Sequence, residues 1–213
     1  MTESNHLLME LQQSKQPPLD ELAAAMLQDP TLLQAAVEGC AEADEGYRYN
    51  SIRSLERVCE SGHADLLYPQ WNFFVRLLDS RNAFQRSGGL WMVASLTAVD
   101  SDGHFEELFE RFFSLVNDEK VMVARYTIQS AAKIARFKPH LQKRITSMLL
   151  NIEQVYHNPE RVDLLKADVL ETFTAYAADS PQREAMLQFA TACKGSTSPK
   201  TRQAAGRFLK AFG

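Results

Sequence analysis

The sequence is short of the residues that mark several protein classes. It has 3 cysteines, 9 glycines and 8 prolines in 213 residues. Scattered cysteines without a Cys-x-x-Cys pair exclude a disulfide-rich scaffold and favour reduced thiols in the cytoplasm. The low glycine and proline content excludes collagen-like and low-complexity chains. We therefore expect a cytoplasmic protein.

Long apolar runs are also missing. The longest, roughly Leu90 to Val99, is too short to span a membrane. The N-terminal residues carry acids where a signal peptide carries cations. With 45% hydrophobic residues and a net charge of -4, the composition is that of an ordinary globular protein with a buried core. We expect no membrane association.

Charge is distributed unevenly along the chain. Residues 1–47 hold nine acids against one lysine, a net charge of -8, and residues 183–213 hold six bases against one acid, a net charge of +5. An acidic end favours basic partners and a basic end favours acidic ones. The same asymmetry is compatible with a monomer or with weak head-to-tail self-association.

The apolar residues repeat with a helical period. Phe105, Leu108, Phe109 and Phe112 follow the spacing of one face of an amphipathic helix. Glycines and prolines divide the chain into helices of about 13–20 residues. The polar segment 1–18 is predicted to be a flexible acidic arm with a short helix at 7–12, and residues 19–213 a single all-α domain.

A basic residue recurs near the start of every second predicted helix. The separations between successive members are 38, 39, 41 and 36 residues. The members are Arg48, Arg86, Arg125, Lys166 and Arg202. The positions seven residues after them are all apolar. A period near 39 with two helices per unit predicts a repeat array.

This pattern resembles HEAT repeats, which belong to the armadillo-type α-solenoids. The resemblance covers 30–213 as five units and is strongest over 117–140. It implies a right-handed α-α superhelix of about five HEAT-like helix pairs. In HEAT repeats a turn acid and the helix arginine commonly form a ladder between units. Asp79 and Asp118 stand seven residues before their arginines, whereas the fourth and fifth units lack that acid.

Catalytic signatures are absent from the sequence. It contains no nucleophile elbow, phosphate-binding loop, zinc-protease motif or dinucleotide fingerprint. The Glu60-x-x-His63 pair straddles Gly62 and does not predict a metal site. We therefore expect no catalytic, cofactor or metal residues, and we interpret the histidines and cysteines as structural.

Two features of the sequence need a separate explanation. Gly88-Gly89 lies inside a helical segment, where each glycine costs about 1 kcal/mol relative to alanine. Close helix packing or a ligand near the backbone would explain the pair. The second feature is a polar strip on the predicted concave surface, which serves either as a structural ladder or as a binding strip. Its members are Arg86, Arg125, Gln129, Lys133, Arg136, Lys166 and Arg202.

The sequence favours a non-catalytic scaffold that binds a protein partner on its concave surface, as solenoids do. The alternative is nucleic-acid binding, since one family of alkylpurine DNA glycosylases has a similar HEAT-like architecture. The pI of about 5.8 disfavours broad phosphate neutralisation. Those glycosylases use aromatic residues and a catalytic aspartate, and this chain lacks a Trp-x-x-x-Asp pair. Some HEAT-like helper proteins attach tetrapyrroles to other proteins. Their repeat units are nearer 30 residues, so the longer period of this chain disfavours that resemblance.

Overall fold

The computed structural model describes the backbone of residues 3–213 and the side chains of residues 4–213. Over this range the chain forms thirteen α-helices, joined by short turns, and no β-strand. The all-α prediction is confirmed. The helices are α1 (Glu3–Gln13), α2 (Leu19–Met26), α3 (Pro30–Gly39), α4 (Glu45–Val58), α5 (Trp71–Leu77), α6 (Ala83–Leu96), α7 (His104–Ser114), α8 (Val121–Phe137), α9 (Gln142–Leu150), α10 (Ile152–Val155), α11 (Pro159–Thr174), α12 (Arg183–Cys193) and α13 (Pro199–Phe212).

Contacts divide the chain into two compact units. The first unit, Met1–Asp102, contains α1 to α6, and the second, Gly103–Gly213, contains α7 to α13. The single domain expected over 19–213 stays a prediction. None of the helices within residues 3–213 combines the length and the apolar character that crossing a bilayer requires.

In the first unit, α4 and α6 lie side by side, with α3 packed on α4 and α5 packed on α6. Leu55, Phe74 and Leu90 are fully buried between them. Burying such a side chain stabilises the fold by about 1.5–3 kcal/mol.

The glycine pair of α6 lies where neighbouring residues leave no room for a Cβ atom. A Cβ on Gly88 would lie 2.4 Å from Ile52 Cδ1, and a Cβ on Gly89 would lie 2.9 Å from the Phe74 carbonyl oxygen. Close packing therefore explains both glycines.

The N-terminal segment differs from the flexible arm predicted over residues 1–18. Residues 3–13 form α1, with Leu7 buried and Leu11 0% exposed. Asn50 of α4 donates hydrogen bonds from Nδ2 to the carbonyl oxygens of Leu11 and Ser14, at 3.1 and 2.9 Å. These bonds satisfy carbonyls that the end of a helix leaves unpaired. Residues 1 and 2, which belong to the predicted arm, lie outside the described residues.

In the second unit, α11 packs between α8 and α13. The amphipathic helix predicted around residue 105 is α7, and its apolar face is buried. The Phe105 and Phe112 rings meet edge to face with centroids 5.3 Å apart, a favourable arrangement. Phe173 of α11 and Phe208 of α13 extend the aromatic core toward the C-terminal helix, with centroids 6.5 Å apart.

Candidate functional site

Three of the recurring arginines make the same contact in three different helices. Arg48, Arg86 and Arg202 are each the fourth residue of their helix. Each donates from Nη1 to the carbonyl oxygens six and five residues earlier, at 2.7 and 3.1 Å, 2.8 and 3.3 Å, and 2.7 and 2.9 Å respectively. Turn carbonyls in this position have no helical partner. These arginines therefore fix the turn that precedes their own helix.

The prediction of one five-member column is wrong for Arg125 and Lys166. Arg125 is the fifth residue of α8 and Lys166 the eighth of α11, so neither occupies the position of the other three. The fourth residues of these helices are Ala124 and Val162, which are buried and apolar. Spacing counted through turns of unequal length does not preserve the helical position.

Arg125 instead contacts a buried carboxylate on α11. The side chain of Asp168 is 0% exposed, and its Oδ2 accepts from Arg125 Nε at 2.6 Å. Its Oδ1 accepts from Arg125 Nη2 at 3.1 Å, Gln129 Nε2 at 3.1 Å and Lys200 Nζ at 3.2 Å. The hydrogen bond to Asp168 raises the pKa of the Arg125 guanidinium. One carboxylate thus joins α8, α11 and α13.

The Asp168 cluster is a ladder between successive second helices, although its acid is not the turn acid expected from HEAT repeats. Sequence reasoning missed Asp168. The available signal was one acid within the otherwise apolar run of residues 167–170, a setting in which an aspartate needs a partner. The contacts of Arg125 and Gln129 with Asp168 agree with a structural role, and the choice between ladder and binding strip stays a prediction.

Lys166 links α11 to neighbouring segments. Its Nζ lies 2.8 Å from Asp163 Oδ1 and 2.5 Å from Glu153 Oε1. Asp163 Oδ2 also accepts from Ser196 Oγ at 2.8 Å and from the Thr197 backbone N–H at 3.0 Å. The bond from Lys166, with those from Ser196 and Thr197, holds the pKa of Asp163 well below its usual range. The turn before α13 is anchored by this carboxylate.

The remaining members of the predicted strip lie farther along α8. Lys133 is half-buried, and Arg136 is exposed with its guanidinium carbon 5.6 Å from the centroid of the Phe137 ring. The structure thus brings Arg125 and Gln129 together at Asp168, while Arg86, Lys166 and Arg202 make separate intramolecular contacts. Partner binding by the seven-residue strip stays a prediction.

Two exposed aromatic side chains that the sequence did not single out lie on the neighbouring helices α4 and α6 of the first unit. Tyr49 is 57% exposed and Phe84 is 48% exposed. Trp91 lies two turns after Phe84 on the same side of α6 and is half-buried. We call Tyr49, Phe84 and Trp91 the aromatic face. Their spacing on two separate helices left no contiguous signal in the sequence.

Two arginines of α4 already contact rings of the aromatic face. The Arg48 guanidinium carbon lies 5.5 Å from the Phe84 centroid, and that of Arg53 lies 6.0 Å from the Trp91 centroid. Arg53 is held by Glu56, with Nη1 2.9 Å from Oε2. Both distances are within the range of cation–π attraction. Phe84 and Trp91 therefore each already have an arginine guanidinium over the ring.

Three exposed acids lie at the N-terminal end of α4. Glu42 and Asp44 are in the turn before the helix and Glu45 is its first residue, and Asp44 caps the helix by accepting from the Tyr47 backbone N–H at 2.7 Å. Within residues 3–213, none of these three carboxylates is in an ion pair. Glu45 and Tyr49 are four residues apart and lie on the same side of α4.

No candidate metal site is present in the part of the chain that the structure describes. No group of three or more His, Cys, Asp or Glu side chains is arranged there to hold an ion.

No protein-family model matches the chain, and no curated protein matches it. Solved structures do. A designed armadillo repeat protein, YIII(Dq.V1)4CPAF in complex with peptide (KR)4, is 15% identical with a TM-score of 0.58, covering 100% of both chains. Another designed armadillo repeat protein, YIII(Dq)4CqI, is 16% identical with a TM-score of 0.50, covering 99% of this chain and 100% of that one. An engineered protein from a structural genomics consortium is 13% identical with a TM-score of 0.51, covering 100% and 97%.

These similarities extend over the whole chain and concern the fold. The protein has an all-α solenoid fold of the armadillo/HEAT-like repeat type, as the sequence period predicts.

Proposed function

We propose that this protein is a non-catalytic interaction scaffold that binds a protein partner on its second helices. The observation that carries the proposal is the aromatic face, where Tyr49 and Phe84 expose about half of their surface on adjacent helices of a repeat fold. Armadillo-like repeat folds commonly serve as protein-binding scaffolds, and the designed armadillo repeat protein described above is in complex with a peptide.

The energetics of aromatic side chains support this role. Aromatic residues and arginine are enriched among the residues that dominate binding energy at interfaces. Each aromatic side chain buries about 150–250 Å² when it is covered. A partner that covers Tyr49 and Phe84 therefore gains a substantial apolar contact without rearrangement of the buried core.

Purification of the tagged protein from its own cells, with and without nuclease, tests the proposal. We expect a stoichiometric protein partner that stays bound after nuclease treatment. This partner is expected not to co-purify with the double variant Tyr49→Ser/Phe84→Ser. The control Met9→Ser/Phe137→Ser changes two other exposed apolar side chains and is expected to retain the partner. A partner retained equally by both double variants would contradict the use of the aromatic face.

Nucleic-acid binding stays the alternative, and the nuclease treatment tests it. Arg86, Arg125, Lys166 and Arg202 already make intramolecular contacts, which lowers the number of cations available to phosphates. Retained nucleic acid, or partners that disappear with nuclease, would replace the scaffold proposal. We further infer a cytoplasmic location and a monomeric or weakly self-associating state, which fractionation and light scattering test.

A further inference from the structure

We propose that a cavity between α11 and α13 of the second unit takes an apolar side chain from an acidic segment of a partner protein. This surface is separate from the aromatic face, and binding there does not depend on a partner at Tyr49 and Phe84.

The cavity lies between two helices that pack against each other, and it has a volume of about 190 Å³. Its apolar lining consists of Leu170 on α11 and of Ala204, Phe208 and Ala211 on α13. Leu170, Ala204 and Phe208 are buried, whereas Ala211 is exposed. The cavity is therefore an opening onto the core of the second unit.

The volume of the cavity indicates what it can hold. Pockets that bind drug-sized molecules have about 300–1,000 Å³. A cavity of about 190 Å³ is smaller and suits one apolar side chain. Side chains inserted into such pockets are the anchors that dominate the binding energy of many protein interfaces.

Cations outnumber acids beside the cavity. Glu171 and Arg207 belong to the lining, and Arg207 Nη2 lies 3.4 Å from Glu171 Oε1. Lys200 Nζ lies 3.8 Å from Glu171 Oε2, so two cations share one exposed carboxylate. Lys210 is three residues after Arg207 and neighbours it on α13. It is exposed and in no ion pair within the described residues.

Arg207 is available to a partner carboxylate. Its side chain is 57% exposed and that of Glu171 is 43% exposed. Exposed ion pairs of this kind contribute little to stability, because solvent screens them. A partner carboxylate can therefore bind Arg207 while Glu171 keeps its contact with Lys200.

The positive excess selects the charge of the partner segment. A basic segment would place like charges beside Arg207 and Lys210, which is unfavourable. An uncharged apolar segment would cover these charged groups without pairing them. An acidic segment with one apolar side chain fills the cavity and pairs the cations together.

Fluorescence anisotropy of the full chain with a short labelled peptide of alternating glutamate and leucine tests this inference. We expect binding that weakens as salt rises, because the ion pairs are exposed. A peptide with lysine in place of every glutamate is expected not to bind. A peptide with serine in place of every leucine keeps the charge and is expected to bind at least about fivefold more weakly, since it has no side chain for the cavity.

The double variant Arg207→Gln/Lys210→Gln tests the charged component. It is expected to weaken binding about tenfold through the loss of both partner ion pairs. The matched control is Lys143→Gln/Lys194→Gln, which removes two exposed lysines of the same unit and alters the net charge equally. We expect the control to change the affinity by less than about twofold.

The variant Ala211→Phe tests the cavity itself. Its ring is expected to occupy the space next to Phe208 and to weaken binding at least about fivefold. Ala192→Phe adds the same ring at an exposed position of α12 and is expected to leave the affinity unchanged. All substituted positions are exposed, and unchanged thermal unfolding verifies that each variant is folded.

Equal weakening by the two glutamine double variants would show attraction to net charge alone and would overturn the inference. Wild-type affinity in Ala211→Phe would overturn the role of the cavity. Preferential binding of a single-stranded oligonucleotide over the peptide would assign these cations to nucleic acid instead. Failure of the wild type to bind the acidic peptide would overturn this inference alone, because co-purification with the aromatic-face variants decides the scaffold function separately.

Discussion

Removal of the Arg125 side chain tests whether the Asp168 cluster holds the second unit together. Asp168 is fully buried, and among the described residues its Oδ2 accepts a hydrogen bond from Arg125 alone. Arg125→Ala leaves that oxygen buried and unpaired. Breaking a buried ion pair costs about 3–5 kcal/mol.

The expected cost is lower than this range for two reasons. The Arg125 side chain is 31% exposed, and Gln129 and Lys200 remain on Oδ1. We therefore expect Arg125→Ala to lower the free energy of unfolding by about 2–3 kcal/mol. For a chain of this length the corresponding decrease in Tm is about 4–12 °C.

Urea and thermal unfolding followed by far-ultraviolet circular dichroism measure this effect. Arg161→Ala, which removes an exposed arginine of α11, is the control and is expected to stay within about 0.5 kcal/mol of the wild type. The double variant Arg125→Met/Asp168→Leu is expected to be more stable than Arg125→Ala, because it removes both charges together. A decrease in Tm of less than about 1 °C for Arg125→Ala would refute the ladder role.

Two further predictions concern packing and pH. Gly89→Ala is expected to lower the free energy of unfolding by about 1–3 kcal/mol, because its Cβ would lie 2.9 Å from the Phe74 carbonyl oxygen. Gly206→Ala has open space around its Cβ and is expected to raise the free energy of unfolding by about 0.5–1 kcal/mol. Equal Tm values for the two variants would contradict this packing. The lowered pKa of Asp163, caused chiefly by the bond from Lys166, means that its stabilising effect is complete above the usual value of 3.8 and is lost as the pH falls below it. The stability difference between wild type and Asp163→Asn should therefore shrink in urea titrations below that pH, and a difference independent of pH would refute the assignment.

The sequence by itself determined the helical class and the repeat character. Apolar residues at helical spacing, as in α7, commit a segment to an amphipathic helix whatever its neighbours are, because one face has to be buried. The period near 39 residues likewise predicted paired helices in a repeat array. Both signals are local or evenly spaced, so they are visible without knowledge of tertiary contacts.

Tertiary structure decided the roles of the individual polar residues. Arg48 and Arg125 look equivalent in sequence, but Arg48 binds the carbonyls of its own turn and Arg125 binds a carboxylate 43 residues away. Unequal turns shift the position of each basic residue within its helix, and a shift of one residue rotates a side chain by about 100°. The partner of Arg125 depends on that rotation and on the neighbouring helix.

The N-terminal helix and the aromatic face were decided in the same way. Polar residues and two prolines suggested a flexible arm over 1–18, yet Leu7 and Leu11 are buried, and Asn50 of α4 binds the end of α1. Tyr49 and Phe84 lie on neighbouring helices only because α4 and α6 pack side by side. Sequence patterns determine which face of a helix is apolar, but the neighbours that pack against it decide which side chains are buried, paired or left exposed to a partner.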